Sequence, residues 1–368
     1  MKGGKRKTET EGERRMKKEK LGWILGLAAL LILPAFPQDS ESGSSGRRHD
    51  DPEVRKAVQK GLDYIAARQQ SNGAWRARIM AKGIDPLGTQ DDHVATTALA
   101  ALAMMSDGSY PDRGKYAEHV SKALDWILSC QTDSGYITAN GSRMYEHGFA
   151  TLFLAEVMGM TQKRRKEVEE ALRKSVRLYE NCQSPDGGWR YQPAPIASDM
   201  SLTVVALQAL RAARNRGIAV KKEVVERGMK YVASCENRGG GWHYQPGNRI
   251  TFNLTGAGIV SRYSIGITEQ EIQDLEKHFR YLRSTYNGSI RRGMMSNHFF
   301  YGNLYAVQAF YQRGGEHWQW YWERITRDLL ANQYDDGHWE DDVHPNFATA
   351  AACVILQVPR EYLPIMQK

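Results

Sequence analysis

The sequence predicts an all-α protein whose helices form a closed α/α toroid. A polar turn recurs six times, and 48 to 62 residues separate its successive glycines, which are Gly73, Gly135, Gly187, Gly240, Gly288 and Gly337. An amphipathic helix precedes each turn and an apolar helix follows it. A unit of this length cannot bury its apolar face alone, so stacked units must share one continuous core.

The first unit shows the pattern. Val54, Val58, Leu62 and Ile65 fall on one face of the segment before the turn, as in a helix with one buried stripe. After the turn, residues 93–105 read HVATTALAALAMM, which is apolar or small on every side and predicts a buried helix. Six outer and six inner helices therefore form two concentric rings, and closure of the rings removes the need for polar caps.

The turn residues have a structural interpretation of their own. The copies at Gln69–Trp75, Gln183–Trp189 and Gln333–Trp339 read Gln-x-x-x-Gly-x-Trp, and the other three are degenerate. Glycine suits a backbone with positive φ after a helix ends. We expect the Gln amide to bind free carbonyls at the end of the preceding helix and the indole to pack over it.

These Gln-x-x-x-Gly-x-Trp turns resemble the repeats of the prenyltransferases and the squalene and oxidosqualene cyclases. The resemblance covers residues 51–368 and implies an α/α toroid of six prenyltransferase/squalene oxidase repeats with a hydrophobic ligand. The cyclases of this group protonate their substrate with an Asp-x-Asp-Asp motif. Here Asp91 and Asp92 keep the pair, but the first Asp of the motif is missing from the sequence before Gln90. The Asp-x-Cys zinc pair of the protein prenyltransferases is absent, so we expect neither metal nor cofactor.

The amino-terminal segments predict export. Residues 1–20 hold nine Lys and Arg against four Glu, and residues 21–36 carry no charge. A basic segment before a short apolar one is typical of a signal peptide or membrane anchor. Residues 37–50 form a polar linker, and the positive flank places the toroid on the extracytoplasmic face of the membrane, in the periplasm or secreted.

The charge distribution argues against a nucleic-acid partner, and the positions of the cysteines argue against disulfide bonds. The net charge of +8 is mostly contributed by the leader, so the remaining chain has no signature of nucleic-acid binding. Cys130, Cys182 and Cys235 occupy matched repeat positions, and neighbouring helix axes lie about 8–10 Å apart. Because a disulfide needs Cα atoms within about 7 Å, we expect four free thiols, including Cys353.

Candidate catalytic groups stand where the inner helices begin. Acids and bases at these matched positions would converge on one mouth of the ring, and we predict this role for Asp92, His93, His147, Asp199 and His298. Helix capping is the competing explanation, and it accounts for Asp199, Asn253 and Asn346 more readily than for the histidines.

The third and fourth turns share Trp-x-Tyr-Gln-Pro and predict a ligand-facing rim. Its members are Trp189, Tyr191, Trp242, His243 and Tyr244, with Arg190 and Arg249 near them. Aromatic and proline packing between the two loops is the competing explanation, and it is preferred.

Two functions follow from these features. The first is an enzyme of the terpenoid cyclase or prenyltransferase type, a transferase or an isomerase/lyase, with an isoprenoid-like ligand in its central cavity. The second is a non-catalytic toroid that binds a lipid, glycan or protein partner.

Overall fold

The computed structural model describes residues 51–78, 90–139, 143–286 and 298–367. All of them belong to one compact unit. The predicted segments 1–20, 21–36 and 37–50, and the fifth turn glycine Gly288, lie outside the described residues. Within the described ranges, no helix combines the length and the apolar composition that crossing a membrane requires.

Helices dominate the described chain, with two short β-hairpins between them. In chain order the elements are α1 (Pro52–Ala66), β1 (Arg76–Arg78), β2 (Gln90–Asp92), α2 (Val94–Met105), α3 (Ala117–Ser129), α4 (Tyr145–Met158), α5 (Arg165–Cys182), α6 (Met200–Asn215), α7 (Lys222–Ser234), β3 (Trp242–His243), β4 (Ile250–Thr251), α8 (Phe252–Ser264), α9 (Glu269–Asp274), α10 (Glu276–Thr285), α11 (Phe299–Arg313), α12 (Gly315–Asn332) and α13 (Pro345–Gln357), followed by two 3₁₀ turns at Val358–Arg360 and Pro364–Met366.

The inner ring consists of α2, α4, α6, α8, α11 and α13. Each of these helices contacts the next, and α13 returns to contact α2. All residues of α2 are buried, whereas the outer helix α1 buries one face that includes Val54, Val58, Leu62 and Ile65. The predicted all-α toroid is therefore confirmed, because the chain closes a ring of buried helices inside amphipathic ones.

In the repeated turns, the glutamine side chain forms a hydrogen-bonded bridge between neighbouring units. Each turn glutamine donates from its side-chain amide to the carbonyl of its own turn glycine and to a carbonyl of the next outer helix, at 2.7–3.3 Å. The outer-helix acceptors for Gln69, Gln131, Gln183 and Gln333 are His119, Ala171, Val224 and Ala57. The expectation that this amide binds the end of its own preceding helix is wrong, because it reaches into the following unit.

The glycine permits the close approach that this bridge needs. Gly187 has φ +99°, and a Cβ atom there would lie 2.3 Å from the Arg227 carbonyl oxygen of the next outer helix. A side chain at this position would suffer both backbone strain and a clash with main-chain atoms. The turn therefore requires glycine for packing as well as for conformation.

The turn tryptophans bind the end of their own outer helix. Each indole Nε1 donates to a carbonyl ten residues earlier, at 2.8–3.1 Å, and the pairs are Trp75 with Ile65, Trp189 with Tyr179, Trp242 with Val232, and Trp339 with Leu329. All four side chains are fully buried. The indole thus donates to a carbonyl in the last turn of its own outer helix, and it lies over the helix end as the sequence predicted.

The fourth unit makes the bridge with other chemistry. Glu236 replaces glutamine, and its Oε1 accepts from His278 Nε2 at 3.1 Å and from Lys277 Nζ at 2.9 Å. His278 Nδ1 accepts from the Gly241 amide at 2.8 Å. The bond from His278 is the main reason that the pKa of Glu236 falls to about 2. A carboxylate has no hydrogen to donate, so cationic or N–H groups of the next helix complete the contact.

Two antiparallel hairpins lengthen the first and fourth turns. Strand β1 pairs with β2 through Arg76 and Asp92, and β3 pairs with β4 through Trp242 and Thr251. The four cysteines are free thiols, and Cys182, Cys235 and Cys353 are buried in the helix packing.

Removing one bridge should destabilise the whole ring. In Gln183→Ala, two carbonyls lose a buried donor, and we expect the free energy of unfolding to fall by about 1–3 kcal/mol. Urea denaturation of the full chain followed by circular dichroism measures this. Gln70→Ala is the control, because the Gln70 amide bonds locally to Arg68 O near the surface. Equal losses in the two variants would show that the bridge has no special role.

Candidate functional site

The amino-terminal ends of the inner helices surround a cavity of about 980 Å³. All six inner helices contribute lining residues from their first two turns, among them Ala95, Tyr145, Ser201, Leu254, Tyr301 and Phe347. The six inner helices therefore begin at the same end of the ring. Their positive macrodipole ends face this space together.

Aromatic side chains are the largest class of residue on the cavity wall. Ten of the described lining residues are aromatic, namely Tyr145, Phe149, Tyr191, Tyr244, Phe252, Tyr281, Tyr286, Phe299, Tyr301 and Phe347. Several of them pack edge to face, such as Tyr145 and Tyr301, whose ring centroids lie 6.1 Å apart. Such a wall offers apolar area and negative ring faces together.

A hydrogen-bonded chain links a buried carboxyl to the cavity. Asp199 is fully buried and begins α6, where its Oδ1 accepts from the Leu202 amide at 2.9 Å. Its Oδ2 accepts from the Tyr244 hydroxyl at 3.0 Å, and the Tyr244 and Tyr191 oxygens lie 2.7 Å apart. Because the single hydrogen of Tyr244 points to Asp199, Tyr191 donates the second bond. Burial raises the pKa of Asp199 above its ordinary value.

The hydrogen bonds from Asp199 through Tyr244 to Tyr191 connect the buried carboxyl group to the space that a ligand would occupy. Tyr191 and Tyr244 both line the cavity, whereas Asp199 lies behind them. Each hydroxyl can receive one proton and pass on another, so a proton could move between Asp199 and the cavity without movement of heavy atoms. Arg190 Nε lies 3.8 Å from Asp199 Oδ2 and favours the ionised carboxylate.

His93 and Glu146 form a second polar group on the wall. Glu146 Oε1 accepts from the Val94 amide at 3.1 Å and Oε2 from the Thr138 hydroxyl at 2.7 Å. His93 Nε2 lies 3.9 Å from Glu146 Oε1, and its Nδ1 accepts from the Thr96 amide at 3.3 Å. Burial lowers the pKa of His93. The neutral ring thus carries its proton on Nε2, directed towards Glu146.

Arginine side chains give the cavity mouth a positive charge. Among the described lining residues the charged groups are Arg78, Arg143, Arg249 and Glu146. The Arg143 guanidinium lies 4.3 Å from the centroid of the Tyr191 ring. This stacking fixes the guanidinium plane at the aromatic rim.

The comparison with known proteins agrees with this architecture. The sequence model of the squalene-hopene cyclase C-terminal domain family matches residues 47–252, more than half of the chain. This chain belongs to the squalene-hopene cyclase C-terminal domain family. The resemblance predicted from the turns is confirmed. No curated protein matches the sequence.

Solved structures show the same terpene cyclase-like fold. MstE, a type II terpene cyclase from Scytonema, has 14% identity and a TM-score of 0.57, and the match covers 84% of this chain and 99% of MstE. A variant of MstE in complex with its substrate, geranylgeranyl dihydroxybenzoate, has 12% identity and a TM-score of 0.57 over 85% of this chain and 98% of that one. An α-1,6-mannanase of Salegentibacter has 9% identity and a TM-score of 0.61, over 83% and 98%. Identities this low show the fold alone.

In this squalene-hopene cyclase family member, His147 does not line the cavity. It is fully buried between Tyr136 and Tyr179, and its Nδ1 accepts from the Ile137 amide at 3.3 Å. Its Nε2 donates to the Ser175 carbonyl at 3.3 Å. Burial lowers the pKa of His147 to about 3, and both ring nitrogens are occupied. The His147 imidazole therefore links the second turn to the next outer helix by hydrogen bonds. In this turn isoleucine stands in place of tryptophan.

The other predicted site residues separate into two groups. His298 lines the cavity together with His93, Tyr191 and Tyr244. Asp92 lies on the β1–β2 hairpin, where its Oδ2 accepts from Asn72 Nδ2 at 2.7 Å. His243 contacts the Asn248 carbonyl inside the β3–β4 hairpin. Trp189 and Trp242 are buried at helix ends, away from the lining residues.

The residues that cap the inner helices are only partly the ones that the sequence predicted. Asp199 caps α6 as expected, but Thr251 caps α8 and His344 caps α13. The prediction that Asn253 and Asn346 are caps is therefore wrong, because each lies inside its helix. Histidine is an effective cap here, since His93 and His344 each accept a main-chain hydrogen bond at Nδ1.

Sequence reasoning missed Tyr145, Glu146, Phe149 and Arg143, whereas Arg249, expected near the two tyrosines, does line the cavity. The available signal was the phase of α4, which begins at Tyr145, before His147. Tyr145, Glu146 and Phe149 lie on the cavity side of this helix. In the described part of the chain, no three His, Cys, Asp or Glu side chains come together as a metal site.

The pH dependence of the free energy of unfolding should include a contribution from His147. Its pKa is 6.5 ordinarily and about 3 in the fold, so below about pH 6.5 the unfolded chain binds a proton that the folded chain refuses. Stability should therefore fall as the pH drops from 6.5 towards 3, by at most about 1.4 kcal/mol per pH unit from this group.

The test is urea unfolding of wild type and His147→Gln at several pH values across this window. We expect a shallower loss of stability in His147→Gln. Thr326→Val removes another buried polar group that does not titrate, and it should keep the wild-type slope. Parallel slopes in wild type and His147→Gln would contradict the interpretation.

Proposed function

We propose that the protein binds an isoprenoid-like hydrophobic ligand in the cavity at the amino-terminal ends of its inner helices. The aromatic wall carries this proposal. A volume of about 980 Å³ suits a ligand of this size, since ligand cavities commonly measure about 300–1,000 Å³. Family membership supports the same class of ligand, as does the complex of MstE with a geranylgeranyl compound.

The physical basis is burial of apolar area against rings. Each methylene transferred from water contributes about 0.8 kcal/mol, so a long prenyl chain gains much by entering the cavity. Ring faces also attract the polarisable double bonds of such a chain and any cation formed from it. A saturated chain would gain the first contribution without the second.

We further propose that the Asp199–Tyr244–Tyr191 chain exchanges a proton with the ligand. A single carboxyl is too weak an acid to protonate an isolated alkene, and the Asp-x-Asp-Asp motif is absent. The hydrogen-bonded residues Asp199, Tyr244 and Tyr191 are suited to removing a proton from a carbon that a carbonyl group activates, or to returning one to it. In this role Tyr191 contacts the ligand, and Asp199 holds the proton.

The second candidate function is a non-catalytic toroid that binds a lipid, glycan or protein partner. The missing acid motif favours it. Hydrolysis of a glycan is less well supported, because it requires two carboxyl groups beside the bond to be broken. Among the described lining residues Glu146 is the single carboxylate, and it already accepts two hydrogen bonds.

We also propose that residues 21–36 export the toroid or anchor it at the extracytoplasmic face of a membrane. The support is their apolar sequence behind a basic segment. Fractionation of cells that express the full chain, with and without residues 1–36, tests this location.

A bulky substitution inside the cavity should abolish ligand binding. Ser201 lines the cavity and is buried, so Ser201→Phe fills part of the space. We expect the Kd for geranylgeraniol, measured by native mass spectrometry, to rise more than about tenfold. Ile196→Phe, at a side chain that is 76% exposed, is the matched control. Binding retained in Ser201→Phe would exclude this cavity as the site.

Breaking the proton chain should stop exchange and spare binding. Geranylgeranial in D₂O is the probe, because its conjugated aldehyde acidifies the C–H bonds at the γ-carbons. Mass spectrometry counts the incorporated deuterium. We expect Asp199→Asn and Tyr244→Phe to slow exchange by about 10²–10⁴-fold while the Kd changes little. Tyr281→Phe, also on the wall, should exchange normally. Exchange by wild type at the buffer rate would favour the non-catalytic toroid.

A further inference from the structure

We propose that the ligand of this cavity is an amphiphile whose anionic head, a carboxylate or a phosphate, is bound at the mouth by Arg143 and Arg249. This inference rests on the proposed function, since it assigns the polar end of the same ligand. The head is the part of the ligand that these two guanidinium groups would recognise, and the apolar chain occupies the aromatic interior.

The two arginines flank one structural unit, the Tyr191–Tyr244 pair. Arg143 stacks on Tyr191, with its guanidinium carbon 4.3 Å from the ring centroid. Arg249 lies on the hairpin that carries Tyr244, and its carbonyl accepts from the Tyr244 amide at 3.2 Å. The pair of hydroxyls is joined at 2.7 Å. Both arginines thus belong to segments that contact this pair of tyrosines, and both line the cavity.

The charge of both arginines is uncompensated by carboxylates within the described ranges. Neither side chain forms an ion pair with a described Asp or Glu, although Arg164, Arg216 and Arg313 elsewhere in the chain do. Glu146, the single described carboxylate on the wall, is already engaged by Val94 and Thr138. Asp199 faces Arg190 instead. Among the described residues, no carboxylate therefore serves as a counter-ion for these two arginines.

The chemistry of the rim selects for an oxyanion. A guanidinium whose face is stacked on a ring keeps its N–H edges free, and these match a carboxylate or phosphate in a two-bond fork. Arg78 and the amino-terminal ends of the inner helices add positive potential in the same space. A neutral hydrocarbon would leave all of these groups without a partner.

The orientation of the ligand follows from this placement. Arg249 is exposed and Arg143 half-buried, so the head lies where the cavity meets solvent. The chain then extends inwards along Tyr145, Phe149 and Tyr301. The head then lies beside Tyr191, on whose ring the Arg143 guanidinium stacks.

Matched prenyl ligands test the proposal. Geranylgeraniol, geranylgeranoic acid and geranylgeranyl monophosphate share one apolar chain and differ at the head, and inorganic phosphate supplies the head alone. Native mass spectrometry and calorimetry on the full protein give each Kd. We expect the acid or the monophosphate to bind about ten- to a hundredfold more tightly than the alcohol, and inorganic phosphate to bind far more weakly than either.

Variants assign the preference to the two arginines. Arg143→Gln combined with Arg249→Gln should reduce the advantage of the anionic ligands to less than about threefold and leave the Kd of the alcohol unchanged. The single variant Arg249→Gln, at an exposed hairpin position, provides a milder change with an intact helix ring. Arg214→Gln, exposed in the last turn of α6 at the opposite end of the ring, is the matched control.

The outcomes separate the two proposals. Equal affinity for the alcohol and both anionic ligands would overturn the anionic head and leave the hydrophobic ligand in place. An advantage that persists in both arginine variants would also overturn it. Binding of inorganic phosphate as tight as that of the lipid would indicate a simple anion site. Failure of all three prenyl ligands to bind would instead contradict the proposed function.

Discussion

The architecture depends on a side-chain amide that spans two units. Each turn glutamine holds the main chain of its own turn and a carbonyl of the following outer helix, so the angle between units is set by hydrogen bonds as well as by packing. The same contact from Gln333 to Ala57 joins the last unit to the first. The Glu236–His278 pair shows that the requirement is a polar bridge over this distance rather than glutamine itself. Because the donor and acceptors are largely shielded from water, losing one partner costs more than an exposed hydrogen bond would.

This spacing of units also creates the site. The inner helices all run in one direction, so side chains from their first turns converge on a single space. The opposite ends of these helices are packed, as the Gln357 amide bonded to Ala103 O at 3.0 Å illustrates. The ring is therefore open to a ligand at the end where the turn loops of units three and four place Tyr191 and Tyr244. The apolar interior, the aromatic wall and the basic rim all follow from the repetition of one helix–turn–helix unit.

The fold was readable from the sequence because its signal is periodic. The glycine spacing and the alternation of amphipathic and apolar segments both reflect packing constraints that every unit shares. The site was readable only in part. Asp199, Tyr191 and Tyr244 belong to the turns, and the structure places them on or behind the cavity wall. His147 was placed by analogy with His93 although α4 begins two residues before it. That shift turns Tyr145, Glu146 and Phe149 towards the cavity and His147 towards Ser175. Arg249 follows the Trp-x-Tyr-Gln-Pro segment that two turns share, whereas Arg143 stands in a loop without a repeat, so no periodicity could reveal it.

The contact between the chain's first and last units has a bearing on biosynthesis. Residues 276 positions apart, Gln333 and Ala57, must meet before the ring is complete. During vectorial synthesis α1 and α2 emerge before the other helices, and their apolar flank stays uncovered until α13 leaves the ribosome. Contacts of such high sequence separation form late, so the nascent chain carries an uncovered apolar edge until α13 has been synthesised. A chaperone that shields this edge, or a translocation machinery that needs an unfolded chain, would meet an incomplete ring until α13 is released.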